Sequence, residues 1–504
     1  LHDMPMEGRN FLNLAGTAAG VVGMGSLSNF DNFAPEKDFD FSANGRGSTG
    51  NMFLLDGLNV TSNIIAGVAN LSPNPDSIQE YKIQTNNFSV EQGRASSLQV
   101  SMVTRGGTNS WHGASSYFFT NQDLLARTVF TSKYEPFKKH TAAGTLGGPI
   151  VSNRMFFFAS AETLRSSQSG PSSVSTYESP QFVAWSKATY PNSVGVRALT
   201  EAPVINVTTL GVAKTAADIV GPQCGTPATA MLPCDLPMVL YGESKPTSSR
   251  NGLQYSLRLD RYLRDSRDRL FGNYYGTTLD LGNPANRLGT GNTSAYGSHT
   301  LELSWIHTFS PSWLNEASFS GIKVYGDNVP RARYHIPEID ISGQSTNITP
   351  GWGGAYAQHH YYWRDVMTWV RGRHMLKTGG DFYWSDDWAD FTRTTTRPTF
   401  TFANLLDLVQ DKPLTETGLG YEPVTGQPAG LVFGGNVMTT GLFVQDEWAV
   451  RPNLNLTIGL RWDDFGNPTG THGMRFSNLS YAAGATSDER VADARLLTSA
   501  HPYA

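Results

Sequence analysis

From Asn453 to Asp463 the chain alternates without a break. Leu454, Leu456, Ile458, Leu460 and Trp462 fall on one face of an extended strand, and Asn453, Asn455, Thr457, Gly459, Arg461 and Asp463 fall on the other. A period of two dictates a strand, and so clean a split asks for an apolar neighbour on one side and a wet one on the other. Leu301, Leu303, Trp305 and Phe309 repeat the arrangement with Glu302, Ser304 and Thr308 opposite, although Ile306 and His307 break it. Trp313, Trp448 and Trp462 stand near strand ends, where aromatic rings suit a boundary between lipid and water.

The connections sharpen this reading. Trp111 to Thr120, His140 to Gly148 and Arg154 to Arg165 form the first strands, with a tight turn at Pro149 to Asn153. Further pairs are Gln254 to Tyr262 with Arg267 to Thr278, Leu301 to Phe309 with Trp313 to Tyr325, and Tyr361 to Val370 with His374 to Trp384. The last pair turns at Arg451-Pro452. Connections on the opposite side are long: Ser166 to about Asn251, Leu279 to His299, and Gly326 to His360. Short turns on one side and long loops on the other are the layout of an outer-membrane barrel, whose long loops are extracellular. Phe402 to Gln410 has helical spacing. Parity places this helix at the periplasmic rim, after a descending strand at Thr395 to Thr401 and before a weak rising one around Leu431 to Gly435. The count is about thirteen strands, against roughly 22 in plugged transporters.

Composition excludes several alternatives. Charged residues are 16% of the chain and aromatics 11%, with 51 glycines, which suits a barrel wall better than a soluble enzyme. No apolar run is long enough for a transmembrane helix, and a mean hydropathy of -0.31 is what alternating strands average to. The net charge of -5 argues against a nucleic-acid partner. No nucleophile elbow, zinc-protease helix or phosphate-binding loop is present, so no enzyme activity and no cofactor are expected. Gly45 to Gly50 matches G-x-G-x-x-G, but a strand follows it where a dinucleotide site needs a helix, so a loop is the better account. Internal repeats of the kind a secreted propeller would show are not seen.

The N-terminal stretch differs in style. Met52 to Leu55 reads as a short strand ending in the turn Asp56-Gly57, Ile78 to Thr85 and Leu98 to Thr104 as two more, and Arg105-Gly106-Gly107-Thr108-Asn109 as the stop. FLLDG, SIQEYKIQT, the pair Gly93-Arg94 and QVSMVTRGGTNSWHG, taken in order, resemble the plug of TonB-dependent outer-membrane receptors. MEGRNFLNLAGTAAGV at Met6 to Val21 is similar to the start of that plug in the Oar-like branch, and Gly441 to Asp463 is similar to that branch's hairpin.

The resemblance implies an all-β fold: a partial transmembrane antiparallel β-barrel over 110–504, with a small α+β plug domain over 1–109. It implies gated transport without chemistry on the substrate. The partners would be a TonB-type inner-membrane energy-coupling complex, outer-membrane lipid and an unknown extracellular ligand. The alternative is an adhesin or structural barrel without transport. The chain opens at Leu1 without a signal peptide and closes in a polar segment, so a fragment is expected. Asp56, Gly57, Gly106 and Gly107 are plug landmarks. Glu80 and Arg94 are the plug charges that the resemblance would pair with barrel-wall groups. Cys224 and Cys234, ten residues apart, suit a loop disulfide in an oxidising compartment. His359 and His360 are possible loop contacts for a ligand, although neighbours in a strand point to opposite faces and so could not share one metal. Asp386 and Asp387 are further candidates at a loop entry.

Overall fold

In the computed structural model the described residues are 9–25, 33, 39–63, 67–93, 95–124, 136–169, 173–264, 266–330, 337–341, 348, 353–390, 398–418, 426–427, 430–474, 476–481, 483–492 and 494–499. The N-terminal part holds β1 (Val21–Gly25), β2 (Phe39–Ala43), β3 (Met52–Leu55), β4 (Leu58–Asn59), β5 (Ile78–Gln84) and β6 (Gln99–Thr104). β1 and β2 pair with each other, and the other four form a mixed sheet in the order β4-β3-β6-β5. The three expected strands are all there. The helical parts described are short 3-10 turns, such as Phe11–Thr17. Phe11, Leu12, Phe53, Leu55, Leu71 and Val100 close an apolar core to which the wall adds Ile322 and Val324, with Tyr356 packed against it, among the described residues.

The wall is one antiparallel sheet in which every strand pairs with its predecessor in the wall. Its members are β7 (His112–Asn121), β8 (Phe137–Val151), β9 (Met155–Ser169), β13 (Thr247–Leu263), β14 (Asp268–Asn283), β15 (Asn292–Ser310), β16 (Trp313–Pro330), β18 (Gly354–Arg371), β19 (His374–Asp390), β22 (Val432–Arg451) and β23 (Leu454–Asp464). A two-residue strand, Thr469–Gly470, adds to β22 off this path. Burial along β13 inverts the rule for a soluble sheet. Leu253, Tyr255, Leu257 and Leu259 are 37–44% exposed, while Gln254, Ser256, Arg258 and Asp260 are buried. Apolar side chains that face outward along a whole strand are satisfied by lipid.

The wall departs from expectation in number and length. The described part of the expected strand Thr395 to Thr401 is not in the wall. Residues 391–397 lie outside the described ones, and β20 (Thr399–Phe402) joins β17 (Glu338–Ile341) and β21 (Thr415–Thr417) in a separate small sheet. Leu431 to Gly435 is no separate rising strand either, because β22 runs unbroken from Val432 to Arg451. Eleven sequential strands therefore satisfy parity without the two extra ones. Between the end strands β7 and β23, which have 10 and 11 residues, the wall strands run well past the 9–11 residues that cross a bilayer. β15 has 19 residues, so the connection expected over Leu279 to His299 shrinks to 284–291.

The longest connection is folded. Residues 173–244 contribute β10 (Ser173–Glu178), β11 (Val207–Thr215) and β12 (Pro237–Ser244) as a three-stranded sheet in the order β10-β12-β11. They also carry helices α1 (Pro180–Thr189), α2 (Val194–Glu201) and α3 (Ala216–Val220). The expected helix near 402–410 is α4 (Leu405–Val409), on the long-loop side and not at the periplasmic rim. Leu405, Leu406, Leu408 and Val409 are buried beside Phe182, Val196, Leu199, Ile339 and Ile341. Burying that face against another loop satisfies the helix where the rim offers no apolar partner. Three connections thus share one core and form a single cap.

Candidate functional site

The candidate site lies between the plug and the wall. At its centre is the Asp56-Gly57 turn, with φ of 46° and 84°, the left-handed pair that a two-residue hairpin turn needs. Asp56 accepts hydrogen bonds from Thr104 N (3.0 Å) and Thr104 Oγ1 (2.6 Å), which tie the turn to the end of β6. Arg258 of β13 reaches the same carboxylate from the wall at 3.4 Å. It is held by Asp260 in a two-point pair (2.9 and 3.1 Å), donates to Thr104, and lies 4.2 Å over the Phe271 ring. Arg269 adds a 2.9 Å contact to Asp260.

Two more ionic contacts flank this one. Arg9 joins Asp76 of the plug (2.6 Å) to Glu162 of β9 (3.2 Å). Glu91 meets Arg364 of β18 and Lys377 of β19, the latter at 3.3 Å. Arg461 of β23 donates to the carbonyls of Val90 and Glu91 at 3.3 Å each while Asp381 (2.7 Å) and Asp463 (2.9 Å) fix it. Neutral pairs fill the spaces: Asn63 to Tyr383 (2.7 Å), Ser62 to Gln358 (3.0 Å) and Asn74 N to the Tyr275 hydroxyl (2.7 Å). Thr300 Oγ1 and Ser320 Oγ of the wall are buried without a hydrogen-bond partner among the described residues.

A cleft of about 670 Å³ opens beside Asp56, Arg258, Asp260 and Arg269, toward the end of the wall that carries the short turns. Gly106 and Gly107 line it as the chain leaves the plug. A Cβ at Gly107 would strike the Phe157 carbonyl and come within 2.9 Å of the Gly148 carbonyl, so the exit strand lies directly on β8 and β9. Gly57 likewise brings the hairpin turn close to Arg364, leaving a Cβ 3.4 Å from Nη1.

The other sequence candidates scatter. Glu80 is exposed on β5 and makes none of these contacts, and Arg94 lies outside the described residues. His359, His360, Asp386 and Asp387 sit in β18 and β19 and not in loops. The strand register sends them to opposite faces. His360 and Asp387 turn inward and bond at 2.9 Å, with the His360 ring also 3.0 Å from Asn70 of the plug. His359 and Asp386 face outward, and Asp386 accepts from Thr471 at 3.0 Å. The expected ligand contacts are therefore a second plug–wall link and an outer-face pair. Cys224 and Cys234 form a disulfide in the cap. Gly45 to Gly50 is a turn and a 3-10 segment leading into β3.

The cap is anchored by polar groups that sequence reasoning missed. Glu178 of β10 and Arg287, between β14 and β15, form a two-point pair at 2.6 and 2.8 Å with both side chains nearly fully buried. Asp411 accepts from Ser193 Oγ and from the N–H groups of Val194 and Gly195 at 2.9–3.0 Å, capping α2 from another loop. For the wall, a readable signal existed. Arg258 and Asp260 interleave with Leu257 and Leu259, as Arg461 and Asp463 do with Leu460 and Trp462, which marks charges on the inward face.

The model of a family described as "Outer membrane beta barrel domain" matches residues 103–500. The TonB-dependent transporter Oar of Myxococcus xanthus is 31% identical over 143 residues, covering 27% of this chain and 13% of that protein. Among solved structures, the outer membrane transporter YddB of Escherichia coli aligns with a TM-score of 0.58 at 13% identity, over 93% of this chain and 56% of its own. A G324V mutant of the ferric enterobactin receptor PfeA of Pseudomonas aeruginosa aligns with a TM-score of 0.51 at 12% identity, over 93% and 57%. At such identities these two speak for the fold alone. The chain spans under two thirds of the length of each of these relatives.

Proposed function

The chain belongs to the outer membrane β-barrel domain family and resides in the bacterial outer membrane, and on that premise we propose that it is a TonB-dependent receptor and transporter. In this reading residues 1–109 are the plug and 110–504 a part of the barrel. The cap and the plug apex take an extracellular ligand, and a TonB-type inner-membrane complex rearranges the plug to let it pass. No step alters the ligand chemically.

The observation that carries the reading is the nature of the plug–wall contact. Apolar contacts between plug and wall are few, namely Ile322, Val324 and Tyr356 at the plug core, Leu58 against Tyr362 and Tyr383, and Phe33 against Leu164, Leu279 and Tyr296, and most of the rest of the described seam is charged or hydroxylated. A plug held by ion pairs and hydrogen bonds can part from its socket by exchanging them for water, without exposing a large apolar surface. A permanent stopper would gain more from an apolar seam. β7 and β23 each pair with one wall strand only, among the described residues. Unpaired backbone along lipid costs several kcal/mol per group, so in this reading further strands complete the circle to roughly 22.

The test is plug movement in cells. Ser62 is 2% exposed at the plug–wall contact. A Ser62→Cys variant should react with a maleimide reagent in energised cells and be spared once an uncoupler collapses the proton gradient. Equal, slow labelling in both states would sink the transport reading and leave the static barrel that an adhesin requires.

A further inference from the structure

The outer face of the wall carries a feature that neither plug nor cap explains. A hollow of about 320 Å³ lies over β13 to β16 and is lined by Ser249, Asn251, Asp280, Thr293 and Asp327 among others. Register sets these side chains outward. Asn251 pairs with Asp280, Asp280 with Ala295, and Ala295 with Asp327, so they form one row across four strands. In the row above, Gly282 sits between Ser249 and Thr293. Gly282 and Ala295 supply the depth, since larger side chains there would fill it.

Directly below runs an outward-facing ring ladder. Tyr255, Tyr274, His299 and Tyr325 follow one another with centroids 6.1, 6.2 and 6.0 Å apart. The Tyr325 ring lies over Gly297 and the Tyr255 ring over Gly276, where a Cβ would collide with them. The rings therefore lie along the sheet; Tyr325, one outward row below Ala295 and Asp327, comes nearest the hollow, while Leu253 and Thr278 stand between the hollow and Tyr255. At the other end of β15 and β16, Phe309 and Trp313 make the inner belt, 6.5 Å apart. Asp280 stands twelve residues along β14 from Asp268. At about 3.3 Å per residue and a tilt of about 40°, that is roughly 30 Å above the inner rim. The hollow thus begins where the apolar band, about 25 Å tall, has ended.

The geometry points to a site for the sugar headgroup of a glycolipid in the outer leaflet. Carboxylate, amide and hydroxyl groups on a ledge of flat rings match alternating sugar hydroxyls and C–H faces. Leu281 and Ala295 are the aliphatic side chains of the lining, too few to hold an acyl chain, and a bare phosphate would meet two carboxylates. The site faces sideways into the headgroup layer, away from the transport path, so it serves the barrel's seating in its membrane and not its cargo. The inference rests on the barrel placement and is independent of whether the barrel transports.

The test uses the purified chain carried through detergent from a membrane rich in lipopolysaccharide, with retained lipid read by native mass spectrometry. Asn251→Ala/Asp280→Ala/Asp327→Ala should lower lipopolysaccharide retention about tenfold or more and leave phosphatidylglycerol retention and strand content unchanged. Asn273→Ala, on the inward face of β14, should leave retention as it is. Equal retention by the wild type and the triple variant would overturn the assignment. So would loss of retention on adding a chelator, because the contact would then be a phosphate bridged by a divalent cation. Displacement of the lipid by the free core oligosaccharide supports sugar recognition. Binding of that oligosaccharide without any lipid retention would assign the hollow to a soluble sugar and overturn the lipid source.

Discussion

Removing the Arg258 guanidinium leaves Asp56 and Asp260 buried without the cation between them. Stranding one side of a buried pair costs about 3–5 kcal/mol. An Arg258→Ala variant should therefore loosen the plug and not the wall, seen as faster hydrogen exchange over Met52 to Thr104 with exchange in β13 to β16 little changed. If both regions loosen together, plug and wall do not separate along this seam. Asp218 gives a pH dependence in the cap. Hydrogen bonds from the Thr215 N–H and hydroxyl hold its carboxyl below the ordinary aspartate range. A depressed folded-state pKa contributes stability that is present above the unfolded value and lost as pH falls through the folded one. Exchange at Thr215 to Val220 should accelerate on acidification beyond the intrinsic pH effect, and Asp218→Asn should flatten that response. At this scale the sequence reading located Asp56 as a turn, but of the two plug charges it named, Arg94 lies outside the described residues and Glu80 does not join the plug–wall contacts described above. Glu80 looked suitable, yet alternation in β5 leaves it exposed. Arg258 could have been found from its place between two leucines.

At the scale of elements, the cap behaves as one body because its core is shared. Leu406 of α4 packs in the same cluster as Val196 of α2 and Ile339 of β17. Leu406→Ala should cost about 2–5 kcal/mol and raise exchange together in 173–244, 337–341 and 399–410. Independent responses of the three segments would dissolve the single-cap description. Breaking the link between Cys224 and Cys234 should act more locally. A closed loop of ten residues is worth about 2–3 kcal/mol in the chain-entropy account. Reduction should increase opening around α3 and leave exchange in β17 and α4 near its starting value. The helical spacing at 402–410 was readable, but its side of the membrane was not. Parity puts the helix at the periplasmic rim only if Thr395 to Thr401 is a wall strand, and its described part, from Thr399, belongs to the separate sheet of β17, β20 and β21. The unbroken β22 removes the need for that strand.

For the whole molecule, the governing fact is which face meets lipid. Leu257→Arg places a charge in the outward apolar band, where the cost is about 2–4 kcal/mol near the midplane. Ser256→Arg, one residue away, turns the same charge inward. The first variant should assemble poorly, scored by heat-modifiable mobility. The second should assemble and crowd the plug, whose seat passes beside Ser256. Comparable assembly of both would mean that the register along β13 is wrong.

The amino-acid sequence by itself located the eleven wall strands and the order in which hairpins pair, though not the strands' full lengths, and its alternation gave the lipid face where it ran unbroken. Those follow from a local period of two and from short turns, which need no distant partner. The plug strands and the Asp56-Gly57 turn were legible for the same reason. Only the tertiary structure decided that Asp56 meets Arg258, 202 residues away, that Glu178 meets Arg287, and that three loops share a core. Each of these depends on which surfaces the wall's register brings into contact, and periodicity within a strand carries no information about a partner on another element.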